Sequence, residues 1–185
     1  MDAALACFAD KGYAATTMSD IRERSSASTG SIYHLFESKE VIAGALYIEG
    51  IRSHQEHLLR AVAETSSAEE AIKSIVRSYV SWFTANEDMS RFLMHMRQAE
   101  LLPPVKEALR DANRAFFAAL RKKLESYVGK RGIKALPWQV LVTIVIAPVQ
   151  EFARTWLAKR NRLPPREAAE IFADAAWDAV RARAR

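Results

Sequence analysis

Thr17-Met18-Ser19-Asp20-Ile21-Arg22-Glu23-Arg24, a polar break at Ser25-Ser26-Ala27, and then Ser28-Thr29-Gly30-Ser31-Ile32-Tyr33-His34-Leu35-Phe36 decide how this chain is read. Thr17 with Asp20 three residues on is the spacing of an N-cap and its reciprocal acid, and Met18 and Ile21 give the helix an inward face. Ser28 can cap a second short helix whose buried side is Ile32, Leu35 and Phe36. Two short helices joined by so brief a turn form a helix-turn-helix. In that unit the second helix can lie in the DNA major groove with its N-terminal residues at base edges. Thr29, Gly30 and Ser31 are small enough for close approach, and Tyr33 and His34 are left facing outward. Ser38-Lys39 then opens the next helix, where unpaired N–H groups, the positive dipole end and the lysine charge favour a phosphate.

Working outward, apolar residues recur at three- and four-residue spacing almost everywhere, and there is no proline before Pro103. The fold class is all-α. The spacing predicts about nine helices: Asp2 to Lys11, stopped by Gly12; Thr17 to Arg24; Ser28 to Phe36; Ser38 to Glu64; Ser67 to Ala85, with Ser67 and Glu70 at capping-box distance; Glu87 to Leu102; Pro104 to Val128; Pro137 to Lys159; and Pro164 to Arg183. Four closely punctuated helices give way to five long ones near residue 50. The division expected is an N-terminal three-helix domain, 1–48, and a C-terminal helical domain, 49–185, with the helix from Ser38 bridging them.

Of the 185 residues, 50% are apolar and 26% charged, and there are only 6 glycines and 6 prolines, which excludes a low-complexity or disordered chain. Cys7 is the single cysteine, so an intramolecular disulfide or a CxxC metal or redox site is excluded and a reducing cytoplasm fits. No secretory pattern opens the sequence, and the apolar run Trp138 to Val149 is shorter than a membrane span and reads as a buried helix. The net charge of +5 is unevenly placed. Residues 1–60 carry six Lys/Arg against eight Asp/Glu, so the basic excess lies beyond them in clusters such as Arg121-Lys122-Lys123 on solvated helix faces.

The ordered set Phe8, Gly12-Tyr13, Thr16-Thr17, Asp20-Ile21, Gly30-Ser31-Ile32-Tyr33, Phe36 and Lys39-Glu40 closely resembles the TetR family of bacterial transcriptional regulators. The resemblance covers about the first 48 residues and only the general layout of the remainder. It implies that Thr29, Gly30, Ser31, Tyr33 and His34 line a DNA-facing surface and that Thr17, Tyr33 and Lys39 touch phosphates. Three departures stand out: Ser25-Ser26-Ala27 where the family has Ala-Gly-Val, Arg22 at a position usually small, and no basic segment ahead of the first helix.

The resemblance also implies a C-terminal domain that encloses a small-molecule effector and dimerises through its last two helices. Candidate pocket residues are Trp82, Phe92, Met94, His95, Met96, Phe116, Gln150 and Phe152, which combine apolar walls with polar anchors. Val140, Ile144, Pro148, Phe152 and Trp156, with Ala168, Phe172, Ala175, Ala176 and Ala179, form the stripes expected at the interface. The partners expected are palindromic double-stranded DNA, an unidentified effector and a second copy of the chain, with no membrane and no cofactor. No GxSxG, HExxH or P-loop occurs, so no catalytic residue is assigned. His54 and His57, three apart, could share a metal with a carboxylate, but a solvated pair is the better reading and no metal site is assigned. The competing reading is a helical ligand-binding dimer with weak or lost DNA binding.

Overall fold

The computed structural model describes residues 1–25, 36–96, 101–129 and 132–182. Among them the regular elements are eight helices: α1 (Asp2–Lys11), α2 (Met18–Ser25), α3 (Lys39–Ala63), α4 (Ala68–Ala85), α5 (Glu87–His95), α6 (Pro103–Glu125), α7 (Trp138–Leu157) and α8 (Pro165–Val180). The helix expected over Ser28 to Phe36 lies almost wholly outside the described residues.

The starts of the helices follow their caps. At α2 the Thr17 amide donates to Asp20 Oδ2 at 2.8 Å, and the Asp20 amide donates to Thr17 Oγ1 at 3.2 Å. At α4 the Glu70 amide donates to Ser67 Oγ at 3.1 Å, but the Glu70 carboxylate reaches the amide of Ser66, at 2.9 Å, so the return bond falls one residue earlier than in a capping box. The ends depart more. The helix expected to run from Glu87 to Leu102 leaves helical geometry at Met96, which is extended (φ −70, ψ 118) and drops its side chain into the core. The last helix ends at Val180 rather than Arg183, because Arg181 turns extended and forms a bridge with Ile133.

By contact the chain forms two compact units, Met1–Ser53 with Asn86–Asn113, and His54–Ala85 with Arg114–Arg185. α5 and the first half of α6 thus pack with the N-terminal helices. The reason is one cluster. Phe92 of α5 stacks on Phe8 of α1, with centroids 5.3 Å apart and planes 19° from parallel, and meets Tyr47 of α3 edge-on at 6.4 Å. Around them Ala4, Cys7, Ile21, Ile42, Leu46, Met96, Leu101 and Leu109 are buried. Two helical glycines in α3 let its neighbours close in. A Cβ on Gly44 would sit 2.6 Å from Val105 Cγ2 of α6, and one on Gly50 would sit 2.5 Å from Met89 Sδ of α5.

In the second unit α4 packs against α7 and α8, which also pack on each other. The buried face of α7 is Leu141, Val145, Val149, Phe152, Ala153 and Leu157. Ala168, Ala169, Ala173 and Ala176 make the inner face of α8, where the small side chains allow α4 to approach. Ion pairs flank that seam: Arg77 with Glu170, and Lys73 with both Asp174 (2.8 Å) and Glu69 (2.6 Å). Lys123 of α6 donates to the carbonyls of Ala63 (3.1 Å) and Thr65 (2.9 Å), covering open carbonyls at the end of α3. α7 runs unbroken through Pro148 and is 20 residues long, so by length and composition it could cross a membrane. Its buried face belongs to this core.

Candidate DNA-binding segment and effector core

Thr29, Gly30, Ser31, Tyr33 and His34 lie outside the described residues, and the structure places only Thr17 and Lys39 of the expected DNA contacts. Thr17 sits exposed at the start of α2, where its hydroxyl donates to Asp20 Oδ2 at 2.8 Å. Asp20 in turn accepts from Lys11 Nζ of α1 at 2.5 Å. These bonds, led by the lysine, hold the Asp20 carboxyl down at about 2. Thr17 is thus first a helix cap, on a network that ties α1 to α2.

Lys39 opens α3. Its Nζ donates to the carbonyl of Tyr13 at 3.1 Å and lies 4.6 Å above the centre of the Tyr13 ring. The Tyr13 hydroxyl donates to Glu40 Oε1 at 3.2 Å, so the Gly12-Tyr13 turn and the first turn of α3 are joined at three points. Glu40 is held below the usual carboxylate range by bonds to its own backbone N–H, to Ser38 and to Tyr13. An ammonium carries three donors, so the bond to Tyr13 fixes Lys39 in place without exhausting it.

The expected pocket residues are divided between the two units. Phe92 and Met96 belong to the core of the first unit, Met94 is half-buried beside them in sequence, and His95 is exposed. Trp82, Phe116, Gln150 and Phe152 belong to the second unit. There an aromatic chain runs through the core: Tyr79 to Phe83 at 6.3 Å, Phe83 to Phe152 at 6.1 Å and to Trp156 at 5.7 Å, and Phe152 to Phe172 at 5.6 Å. Phe116 on α6 is buried against Phe117, 5.0 Å away. Gln150, exposed on α7, shares a hydrogen bond with the Tyr79 hydroxyl, whose pKa burial pushes up.

Sequence reasoning paired His54 with His57 and passed over the difference between them. His57 Nε2 meets Ser81 Oγ at 2.9 Å. His54 turns inward and packs edge-on against two rings of α4, Tyr79 at 4.8 Å and Trp82 at 5.0 Å. Its Nε2 is out of solvent and has no hydrogen-bond partner among the described residues. Desolvation, with a smaller contribution from His57, lowers its pKa to about 4, so the imidazole is neutral near pH 7.

The stripe expected on α7 also divides. Val140 is 44% exposed and Pro148 is exposed, whereas Phe152 is buried and Trp156 packs on Phe83. Four-residue steps overshoot the helical repeat by about 40° each, so a stripe drawn over four steps winds to the opposite face. On α8 the outward residues include Ile171, 52% exposed, and Ala175.

Residues 1–46 match the family model described as bacterial regulatory proteins, tetR family. The fatty acid metabolism regulator protein of Bacillus subtilis (strain 168) is 22% identical over 160 residues, 85% of this chain and 81% of that one. Among solved structures, PfmR, a TetR family transcriptional regulator of Thermus thermophilus, superimposes with a TM-score of 0.82 at 19% identity, covering 96% of each chain. FadR of Bacillus subtilis, solved in complex with stearoyl-CoA, does so with a TM-score of 0.77 at 16% identity over 95% of each chain. Over the whole chain the likeness to these structures is one of fold, an all-helical one. Residues 1–46 are thus similar to the N-terminal segment of the tetR family, and the rest of the chain shares the fold of these structures.

Proposed function

We propose that the chain is a homodimeric repressor, held on a palindromic operator until a small, largely apolar effector releases it. The match of residues 1–46 to the tetR family carries this reading. Thr29, Gly30, Ser31, Tyr33 and His34 are assigned to the major groove, and Thr17, Tyr33 and Lys39 to phosphates. The outward residues Val140, Pro148, Ile171 and Ala175 of α7 and α8 are assigned to the contact with the second copy. Two recognition helices then stand about one DNA turn apart, roughly 34–36 Å, which is why the operator must be palindromic. Such a regulator works in the cytoplasm, beside the chromosome.

The effector is assigned to the second unit, within reach of Trp82, Phe116, Gln150 and Phe152, and its class is an acyl-chain compound. Supporting this class are the fatty-acid regulator among the relatives and the stearoyl-CoA bound by a protein of the same fold. Release follows if the effector prefers a conformation whose recognition helices no longer fit adjacent grooves. Operator DNA must then weaken effector binding by the same factor.

The test is selection of bound sequences from a random duplex pool, run in parallel with Tyr33→Ala. A palindrome enriched by the native chain and lost in the variant supports a dimeric operator-binding regulator. Lys39→Ala should weaken binding to all sequences and lower the salt slope by about one. The second reading, a ligand-binding dimer with weak DNA affinity, is favoured by the acidic excess within residues 1–60. It predicts no enriched sequence and only salt-sensitive association.

A further inference from the structure

One polar atom in the second unit has no account in the fold. A buried nitrogen left without a hydrogen-bond partner is unfavourable, and His54 Nε2 is such an atom. The edge-on contacts with Tyr79 and Trp82 hold the ring, but a ring face is a weak substitute for a hydrogen-bond partner. Within the unit, the cations that α4 carries are engaged elsewhere: Lys73 with Glu69 and Asp174, Arg77 with Glu170. Groups on the same side as His54 are uncharged or polar: Tyr79, with its hydroxyl on Gln150, and His57 on Ser81. The titratable groups beside His54 are therefore His57 and Tyr79, and among the described residues no lysine or arginine acts on its ring.

Resting on the assignment of the effector to this unit, we propose that His54 is its polar specificity residue. Its Nε2 hydrogen-bonds an uncharged oxygen, an ester-type carbonyl, on an acyl chain whose apolar part lies along the Trp82 side of the core. The neutral imidazole can present Nε2–H to that oxygen. A free carboxylate at the same place would be a buried charge without a cation, so the esterified chain binds better than the free acid. A structural histidine would not discriminate between the two.

The experiment titrates the full-length protein with dodecanoic acid, its methyl ester and dodecane, each solubilised identically. Binding is read from tryptophan fluorescence, since Trp82 lies 5.0 Å from His54, and from the ¹⁵N signals of labelled histidine. The expected order is ester over acid and alkane, with the Nε2 signal of one buried histidine moving only with the ester. His54→Phe keeps a ring of similar shape and should lose about tenfold in ester affinity while leaving dodecane unchanged. His54→Gln keeps a neutral hydrogen-bonding end and should recover part of the loss. Ester binding by the wild type with no Nε2 shift, or equal affinity in His54→Phe, overturns the role of His54 while leaving the effector reading intact. No binding of any of the three by the wild type overturns both. Should His54→Phe not fold, the wild-type ¹⁵N titration and His54→Gln still decide.

Discussion

The two helical units bury their side chains to different ends. In the first, Phe8, Phe92, Ile42 and Leu46 are closed around α3, whose Gly44 and Gly50 admit neighbours to contact distance. One of its buried hydroxyls, Thr16, is satisfied twice, by the carbonyls of Gly12 at 2.8 Å and Cys7 at 3.2 Å. The second core is an open chain of aromatic rings and retains a histidine nitrogen with nothing to bond. A core selected only to fold has little reason to keep such a group, and replacing it with an apolar one is often neutral or stabilising. The difference lies in how completely each core satisfies its buried polar atoms among the described residues.

The most forceful way to break that comparison is Phe92→Ala. With Phe92 1% exposed and stacked on Phe8, its truncation should destabilise by about 4 kcal/mol, read as a fall in denaturant midpoint. A stable variant with altered acyl-chain affinity would instead move Phe92 to the effector site. Next comes acid stability. His54 has a folded pKa near 4, below its unfolded value of about 6.5, so the unfolded chain binds the extra proton between them. Stability is then complete above about pH 6.5 and falls toward about pH 4, by up to about 3 kcal/mol. His54→Phe should flatten that part of the curve, and an unchanged slope would show that the ring is not desolvated.

The two glycines of α3 sharpen the picture of the first core. Gly44→Ala should lose about 1–2 kcal/mol, because the β-branched Val105 cannot swing aside. Gly50→Ala should come within about 0.5 kcal/mol of neutral, since Met89 is flexible and alanine favours the helix. Equal effects from chemical denaturation would mean that α3 is not packed to this tolerance. Thr17→Ala should cost about 1 kcal/mol from the lost cap of α2. The Asp20 partner adds a pH signature: its folded pKa, near 2, lies below the ordinary 3.8, so its contribution is present above about pH 4 and disappears as pH falls through 2. That acid limb should vanish in Asp20→Asn.

Much of the local structure was legible because it is set by neighbours in sequence. The Asp2–Lys11 helix, the Thr17–Asp20 cap and the start of α4 near Ser67 follow from spacing and capping chemistry alone. Helix ends were less so. Met96 leaves the helix for a tertiary contact, and Arg181 turns away to pair with Ile133. The stripe read on α7 divides between exposed and buried residues, since four-residue spacing holds a face for only about two steps. Nor could spacing distinguish His54 from His57: three residues apart, they share a helix side, yet one meets Ser81 and the other two aromatic rings.

By itself the sequence determined the helical class, most helix starts and, through the ordered residues from Phe8 to Glu40, the likeness of its first 46 residues to the tetR family. Those features depend on hydrogen bonds and side chains within a few residues of one another. Only the tertiary structure decided that α5 belongs with α1, that the expected pocket residues fall in two units, and that one histidine nitrogen is out of solvent. Each of these depends on which distant side chains meet, and a residue's burial, charge state and hydrogen-bonding are set by that company rather than by its place in the chain.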